Sequence, residues 1–287
     1  MNHEGSKSAY DVVIVGGGIG GLTAGAFLAQ AGKQVLVVEQ EERAGGYARE
    51  FQHGAYSVNP ALHLIMGCGP AGPSGQGLID SALRQLGVRE HCEFVTVDPF
   101  YRVKLPDLQL DVPAARDAYL EVYQRAFPEE AKGLGELVSL CSQIYQEFVR
   151  FPMTPRWQDY ALMPARFPKH FRYANATLGS VLKRFLSSPR SKAAYAALWP
   201  YLALPPLRVT FLQWATMMAS YTEEGAFYCR GGFQGLVDAL AGGLANHGGE
   251  LVLGTRVTKI HAASSAVKGV SLENGQEITA PVVISNT

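Results

Sequence analysis

Five of the six residues 16–21 are glycine, and Gly16, Gly18, Gly20 and Gly21 among them follow the apolar run Val12-Val13-Ile14-Val15 at a telling spacing. Glycines at this spacing suit the binding of a phosphate. Gly16 permits a tight turn, Gly18 lets backbone approach a pyrophosphate, and Gly21 allows a helix to pack closely on a strand. The free N–H groups and positive end of that helix complement the anion. A side chain forced into such conformations costs about 1–3 kcal/mol. Glu39 stands 23 residues after Gly16, near the spacing of about 20 for an acid that accepts hydrogen bonds from a ribose. The same carboxylate would repel the extra phosphate of NADP, and Gln40 beside it is assigned to the same contact. These residues together describe a holder for the adenosine diphosphate half of a dinucleotide.

A second cluster, Glu42-Arg43-Ala44-Gly45-Gly46, selects FAD over NAD. The pair Gly45 and Gly46 leaves room for the phosphate-ribityl arm of a flavin, and Arg43 can contact phosphate. The same five residues also read as an ordinary surface turn with a solvated arginine.

The elements that must position these groups are legible around them. Residues 11–15 are an apolar run expected of a parallel strand buried on both faces. Leu22, Ala26, Phe27, Leu28 and Ala29 recur at helical spacing until Gly32 supplies a stop. Residues 35–38 form a second apolar strand ending on Glu39. Further on, 78–86, 114–126, 134–148, 178–185 and 236–244 carry helical spacing, the last closed by Gly248 and Gly249. Residues 94–97, 101–103, 251–253 and 256–258 read as strands. Asn274-Gly275 marks a tight hairpin, and Gly69, Pro70, Gly72, Pro73 and Gly75 mark a mobile loop.

Composition excludes several classes. The 287 residues are 47% hydrophobic with formal net charge +0, enough for a large core and without an electrostatic reason to expect nucleic acid. Cys68, Cys92, Cys141 and Cys229 form no C-x-x-C pair, which argues against a zinc site or disulfide framework and for a reducing, cytoplasmic compartment. Residues 1–8 lack the apolar segment of a signal peptide, and no apolar stretch reaches the roughly 18 residues that span a bilayer. The sequon at Asn175 is read as chance. No nucleophile elbow, zinc-type H-E-x-x-H or P-loop lysine occurs, and no two histidines have metal spacing. No catalytic base is assigned.

Two stretches carry competing readings. Arg150, Phe151, Met153, Arg156, Trp157, Arg166, Phe167, Lys169, Phe171 and Arg172 mix cations with aromatics around a single acid, Asp159. Such a mixture suits insertion at an anionic lipid surface, making the protein peripheral at a membrane; the alternative is a proline-broken loop whose aromatics fill the core. Trp199, Tyr201, Phe211, Trp214, Met217, Met218 and Tyr221 either line an apolar tunnel or form core.

The chain resembles the phytoene desaturase, carotenoid isomerase and retinol saturase family of flavoproteins. The likeness rests on the glycine fingerprint, the acidic strand end, Arg43-x-Gly45-Gly46, Val58 through Gly67, Gly231-Gly232-Phe233 through Leu240, and Val282 through Asn286. It implies an α/β, Rossmann-like FAD-binding domain of glutathione-reductase type with an inserted α+β substrate domain. The expected boundaries are 1–69 and 226–287 for the cofactor domain and 70–225 for the insertion. It also implies FAD as cofactor, backbone near Val257 beside the adenine, and an apolar polyene or isoprenoid-like substrate that is desaturated, saturated or isomerised. His63 matches a loop histidine of retinol saturase-like relatives, against a plain structural reading. Tyr47, Asn59 and Ala61 depart from the family's usual Arg, Asp and Gly. Relatives also continue past the position of Thr287, so a fragment, or a split protein completed by a partner chain, is expected. An amine oxidase-like enzyme and a non-catalytic carrier resembling prenyl-Rab escort proteins remain as alternatives.

Overall fold

Valine-rich runs separated by one helix generate the central sheet. The computed structural model describes residues 8–69, 77–152, 154–263 and 266–287. β1 (Val12–Val15), α1 (Ile19–Gln30) and β2 (Val35–Val38) form a βαβ unit. β1 pairs in parallel with β2 and, on its other side, with the strand Val282–Ser285. β2 pairs in parallel with Glu250–Val252. Strands from the far end of the sequence thus flank the first two, and both central strands are buried, as strands covered on two faces must be.

One face of the sheet is covered by an antiparallel sheet of Val257–Ala263, Ala266–Leu272 and Glu277–Thr279. Val13, Leu36, Val38, Val252, Val270, Leu272 and Ile278 form the core between them. The other face receives α1 and the helix Gln234–Asn246, which pack on each other. Gly25 sets their closeness, because a Cβ there would lie 3.0 Å from Val37 Cγ2 and 3.3 Å from Leu244 Cδ1. α1 ends as its sequence requires: Gly32 has φ +80°, its N–H donates to Ala29 O, and Lys33 N–H donates to Leu28 O, a Schellman motif. The hairpin at Asn274-Gly275 forms with a longer loop than a two-residue turn. Gly275 N–H donates to Leu272 O and only Gly275 has positive φ, so a type I turn is followed by a glycine bulge.

The chain divides into two units, one of Met1–Leu64, Ile79–Val95 and Tyr228–Thr287, the other of Ile65–Leu78 and Thr96–Phe227. The expected insertion 70–225 is therefore corrected at Ile79–Val95, which joins the nucleotide-type unit. The cause is burial: Leu83, Leu86 and Val88 are enclosed, and a Cβ on Gly243 would lie 3.5 Å from Val88 Cγ1.

The second unit packs the helix Ala131–Val149 against Phe211–Glu224. Phe211, Trp214, Met218 and Tyr221 are buried in it, at the three- and four-residue intervals of one helix face. These four are core, which corrects the tunnel reading for them, while Trp199 and Tyr201 are exposed. Tyr101–Leu105 pairs with Leu108–Val112, a partner strand that sequence reading missed. Residues 1–7, most of the expected loop (Pro70, Gly72, Pro73 and Gly75) and Met153 lie outside the described residues. Among the described residues no helix is long and apolar enough to cross a membrane.

Candidate functional site: the two glycine turns

The turn after β1 is fixed by its neighbours. Gly16 N–H donates to Val38 O and Asn286 N–H donates to Val15 O, each at 2.8 Å. Gly16 has φ +104°, and a Cβ there would lie 2.6 Å from Asn286 O. Gly18 is the N-cap of α1 with extended backbone and supplies no side-chain cap, so the first turn of the helix offers N–H groups toward an anion. A Cβ on Gly21 would lie 2.1 Å from Gly16 O, whereas one on Gly20 would meet the tip of Asn286, Oδ1 at 2.9 Å. The glycines therefore do different work: Gly21 lets the helix sit on the turn, and Gly20 leaves space for a side chain.

Glu39 is only 7% exposed. Its Oε2 accepts from Gly17 N–H at 2.6 Å and its Oε1 from Glu41 N–H at 3.0 Å. Gly17, which sequence reading passed over, is required here because a Cβ would lie 3.0 Å from Glu39 Cβ. Gln40 is exposed next to it. The expected adenine-side segment reaches the same end of β2: Glu39 N–H donates to Val252 O, Thr255 N–H to Glu39 O and Gly254 N–H to Glu41 O. Val257 begins the next strand two residues later.

The second glycine turn is bonded to the first. Gly45 N–H donates to Gly17 O at 2.8 Å, and Gly18 and Gly45 form a parallel bridge. Gly45 and Gly46 have φ of +129° and +54°, and a Cβ on Gly46 would touch Gly18 Cα at 3.4 Å. An ordinary surface turn needs none of this. Arg43 is exposed and makes no ion pair among the described residues, while nearby Arg49 pairs with Glu41 at 2.7 Å. An exposed guanidinium without an ion pair, two residues before the glycine that bonds to the first turn, is available to bind phosphate.

Asn59, in the place of the usual Asp, ties this turn region to the segment starting at Gly231. Its Oδ1 accepts from Phe233 N–H at 3.2 Å and its Nδ2 donates to Tyr228 Oη at 3.1 Å. Gln234 then reaches back, donating to Ala44 O and accepting from Glu50 N–H, each at 3.4 Å. Tyr47, Ala61 and His63 are exposed. The four cysteines are buried and form no disulfide among the described residues. A hydrogen bond with Cys92 leads the causes that hold the Cys229 thiol below the usual thiol range. Asn286 is the residue that sequence reading missed at this site; its signal was its position one step past the returning strand. Among the described residues no cluster of three or more His, Cys, Asp or Glu could hold a metal.

Uncapped N–H groups, a buried acceptor, an unpaired arginine and a glycine pair fit the phosphates and ribose of FAD. Comparison with known proteins agrees. The chain is 28% identical to rat all-trans-retinol 13,14-reductase and to prolycopene isomerase 2 of an Oncidium hybrid cultivar, covering 96% of itself and 47% and 48% of those proteins. It is 25% identical to a 4,4'-diapophytoene desaturase of Methylomonas sp, covering 53% of that protein. The chain thus spans about half the length of the curated relatives it matches. Among solved structures, putrescine oxidase bound to putrescine has a TM-score of 0.63 at 16% identity over 96% of this chain and 57% of that one. Rab GDI of Plasmodium falciparum has 0.58 at 16% over 98% and 66%; both likenesses are of fold. The description flavin containing amine oxidoreductase matches residues 19–287, almost the whole sequence, and the chain belongs to that family.

Proposed function

We propose that this chain holds FAD across the two glycine turns and serves an oxidoreductase or isomerase acting on carbon–carbon double bonds of an apolar polyene or isoprenoid-like substrate. The observation that carries the cofactor half is the bond from Gly45 N–H to Gly17 O, which makes one surface of two turns. The start of α1 and Arg43 bind the phosphates, and Glu39 accepts from the ribose. The substrate half is supported by the activities that name the relatives at 25–28% identity. Bound FAD supplies a two-electron donor and acceptor, and the protein's part is to orient it and exclude water. Amine oxidation is named in the description of the family and for a neighbour of like fold, and lipid carriage has only fold-level likeness. Fold does not carry function, and none of the relatives named above at 25–28% identity is an amine oxidase. The rest of the active enzyme is proposed to come from further polypeptide, in the same chain or a partner's.

The test has two arms. Titration of the purified chain with FAD reports the cofactor reading, and absence of saturable flavin quenching overturns it. In the complete enzyme, a retinoid or carotenoid polyene added anaerobically is expected to change the flavin absorbance, whereas a polyamine leaves it unchanged. The reverse pattern overturns the substrate class.

A further inference from the structure

The cation-aromatic stretch of the second unit divides into two sets of side chains. Phe167 and Tyr173 are buried, and Phe151 packs on Phe167 with ring centroids 5.2 Å apart. These serve the core. Trp157 (75% exposed), Phe171 (60%), Tyr160 (59%) and Phe148 (53%), with Val149 and Leu162, stand in solvent. They belong to one local surface. The Glu147 carboxylate at the end of helix Ala131–Val149 accepts from Lys169 N–H and His170 N–H at 3.1 and 3.0 Å, which holds Phe148 near Phe171. Asp159 accepts from Arg156 N–H at 2.7 Å and from Arg166 Nη1 at 2.8 Å, closing Trp157–Ala161 against Met163–Arg166.

The charge around this surface is one-sided. Asp159 is the only acid in 150–172, and its carboxylate is engaged by Arg166. The neighbouring Glu147 carboxylate is engaged by His170 and the backbone N–H groups, and Arg150, Arg156, Arg166, Lys169 and Arg172 outnumber these two acids. Arg150, Arg156 and Arg172 are exposed and Lys169 is half-buried, and among the described residues the charged group of none of the four is paired with a carboxylate. The chain as a whole has net charge +0, so the excess is local. A soluble polyanion could pair with the cations but could not take Phe148, Leu162 and Phe171 out of water. The headgroup boundary of an anionic bilayer does both, accepting the rings while phosphates meet the cations.

We propose that the face formed by Phe148, Trp157, Tyr160, Leu162 and Phe171, ringed by Arg150, Arg156, Lys169 and Arg172, docks the protein on an anionic lipid bilayer. The proposal does not rest on the flavin reading. It is tested by sedimentation of the full chain with phosphatidylcholine vesicles, with and without phosphatidylglycerol. Binding is expected only with the anionic lipid and falls as salt screens the cations. Each cation near such a surface contributes about a fivefold factor in partitioning, so the triple reversal R150E, K169E, R172E is expected to lose at least about a hundredfold. On vesicles the emission of Trp157 shifts to the blue; in a Trp199→Phe background, which removes the other exposed indole, W157F abolishes the shift because the remaining Trp214 is already buried. Near-ultraviolet circular dichroism verifies that each variant folds. If the reversal variant misfolds, the salt titration and the Trp157 emission of the unaltered chain still decide. Failure to sediment with anionic vesicles, equal binding by the folded reversal variant, or binding without a Trp157 shift overturns the proposal. The last result, with competition by polyglutamate, would assign the face to an acidic macromolecule.

Discussion

Replacing Gly21 or Gly20 by alanine separates the functions of two adjacent glycines. A Cβ on Gly21 would lie 2.1 Å from the carbonyl oxygen of Gly16. That oxygen is backbone in a turn held on both sides, by the Gly16–Val38 and Asn286–Val15 hydrogen bonds, so it cannot yield. The start of α1 must move by about an ångström, and overpacking of this kind costs about 1–3 kcal/mol of stability. The cost to ligand binding is larger. Hydrogen bonds to charged groups contribute about 1.5–3 kcal/mol each, and an ångström takes an N–H beyond hydrogen-bond range of a phosphate. Loss of two such bonds weakens FAD binding by a factor on the order of a hundred to ten thousand. On Gly20 the methyl group would meet only the tip of Asn286, Oδ1 at 2.9 Å, and that amide can turn away. G20A is therefore expected to bind FAD within about tenfold of the unaltered chain. Flavin fluorescence titration measures both variants, and thermal unfolding separates binding loss from unfolding. Folded G21A binding as tightly as G20A would refute the reasoning.

Four further outcomes are expected. Glu39→Ala strands the Gly17 and Glu41 N–H groups and removes the ribose acceptor, so it weakens FAD binding more than Glu39→Gln, which retains one acceptor; titration of both variants checks the order. Asn59→Ala loses the bonds to Phe233 and Tyr228 and is expected to cost about 1–3 kcal/mol in urea unfolding, whereas Asn59→Asp keeps the acceptor for Phe233 N–H, accepts from the Tyr228 hydroxyl once that turns to donate, and costs less. Trp214 Nε1 is buried without a hydrogen-bond partner, so Trp214→Phe removes an unsatisfied donor and should be milder than Phe211→Ala, for which about 3–5 kcal/mol is expected. Burial raises the pKa of Tyr119, Tyr123 and Tyr195 well above the usual value and that of Tyr221 to about 12. Their folded pKa exceeds the unfolded value of about 10, so their contribution is complete below that pH and is lost as pH rises toward the folded values. Absorbance at 295 nm should show these phenols ionising together with unfolding, not ahead of it.

Legibility in the sequence followed the range of the interaction. β1 and β2 were placed to within a residue because each is a continuous apolar run, and the end of α1 was marked by Gly32, whereas its start at Ile19 lies three residues before the first periodic residue, Leu22, inside the glycine turn. The helix Phe211–Glu224 was missed as an element because its aromatic and Met residues suggested a pocket, yet their spacing of three and four is that of one buried face. Leu108–Val112 alternates inward Leu110 and Val112 with outward Gln109 and Asp111, a pattern too short to stand alone without its partner strand. Ile79–Val95 could not be assigned, since its place depends on Leu86 and Val88 meeting a helix some 150 residues later in the sequence. At the candidate site, the tight turn read for Gly16 and the close helix packing read for Gly21 match the local geometry of the two glycines. Gly17 and Asn286 were not singled out because the reason for each is a tertiary contact, with Glu39 and with the first glycine turn, although the position of Asn286 one step past the returning strand was a signal for it.

The network at Glu39 bears on how the site tells one nucleotide from another. A carboxylate offers about four acceptor positions; backbone N–H groups of Gly17 and Glu41 occupy one on each oxygen. Two positions therefore remain for the hydroxyls of a ribose, and no protein bond has to break when they are filled. The same two N–H groups fix the side chain, so its charge cannot swing away from a ligand that brings another negative group. A ribose carrying a phosphate would then meet a held anion at 7% exposure, where little water is present to screen it. Selection against a phosphorylated ribose follows from the rigidity of Glu39 as much as from its charge. Gln at this position should relax that selection by removing the charge, while Asp, one methylene shorter, keeps the charge and loses the reach to Gly17. If FAD analogues with a phosphorylated ribose bind Glu39→Asp as poorly as the unaltered chain, charge alone sets the selection and the backbone clamp contributes nothing.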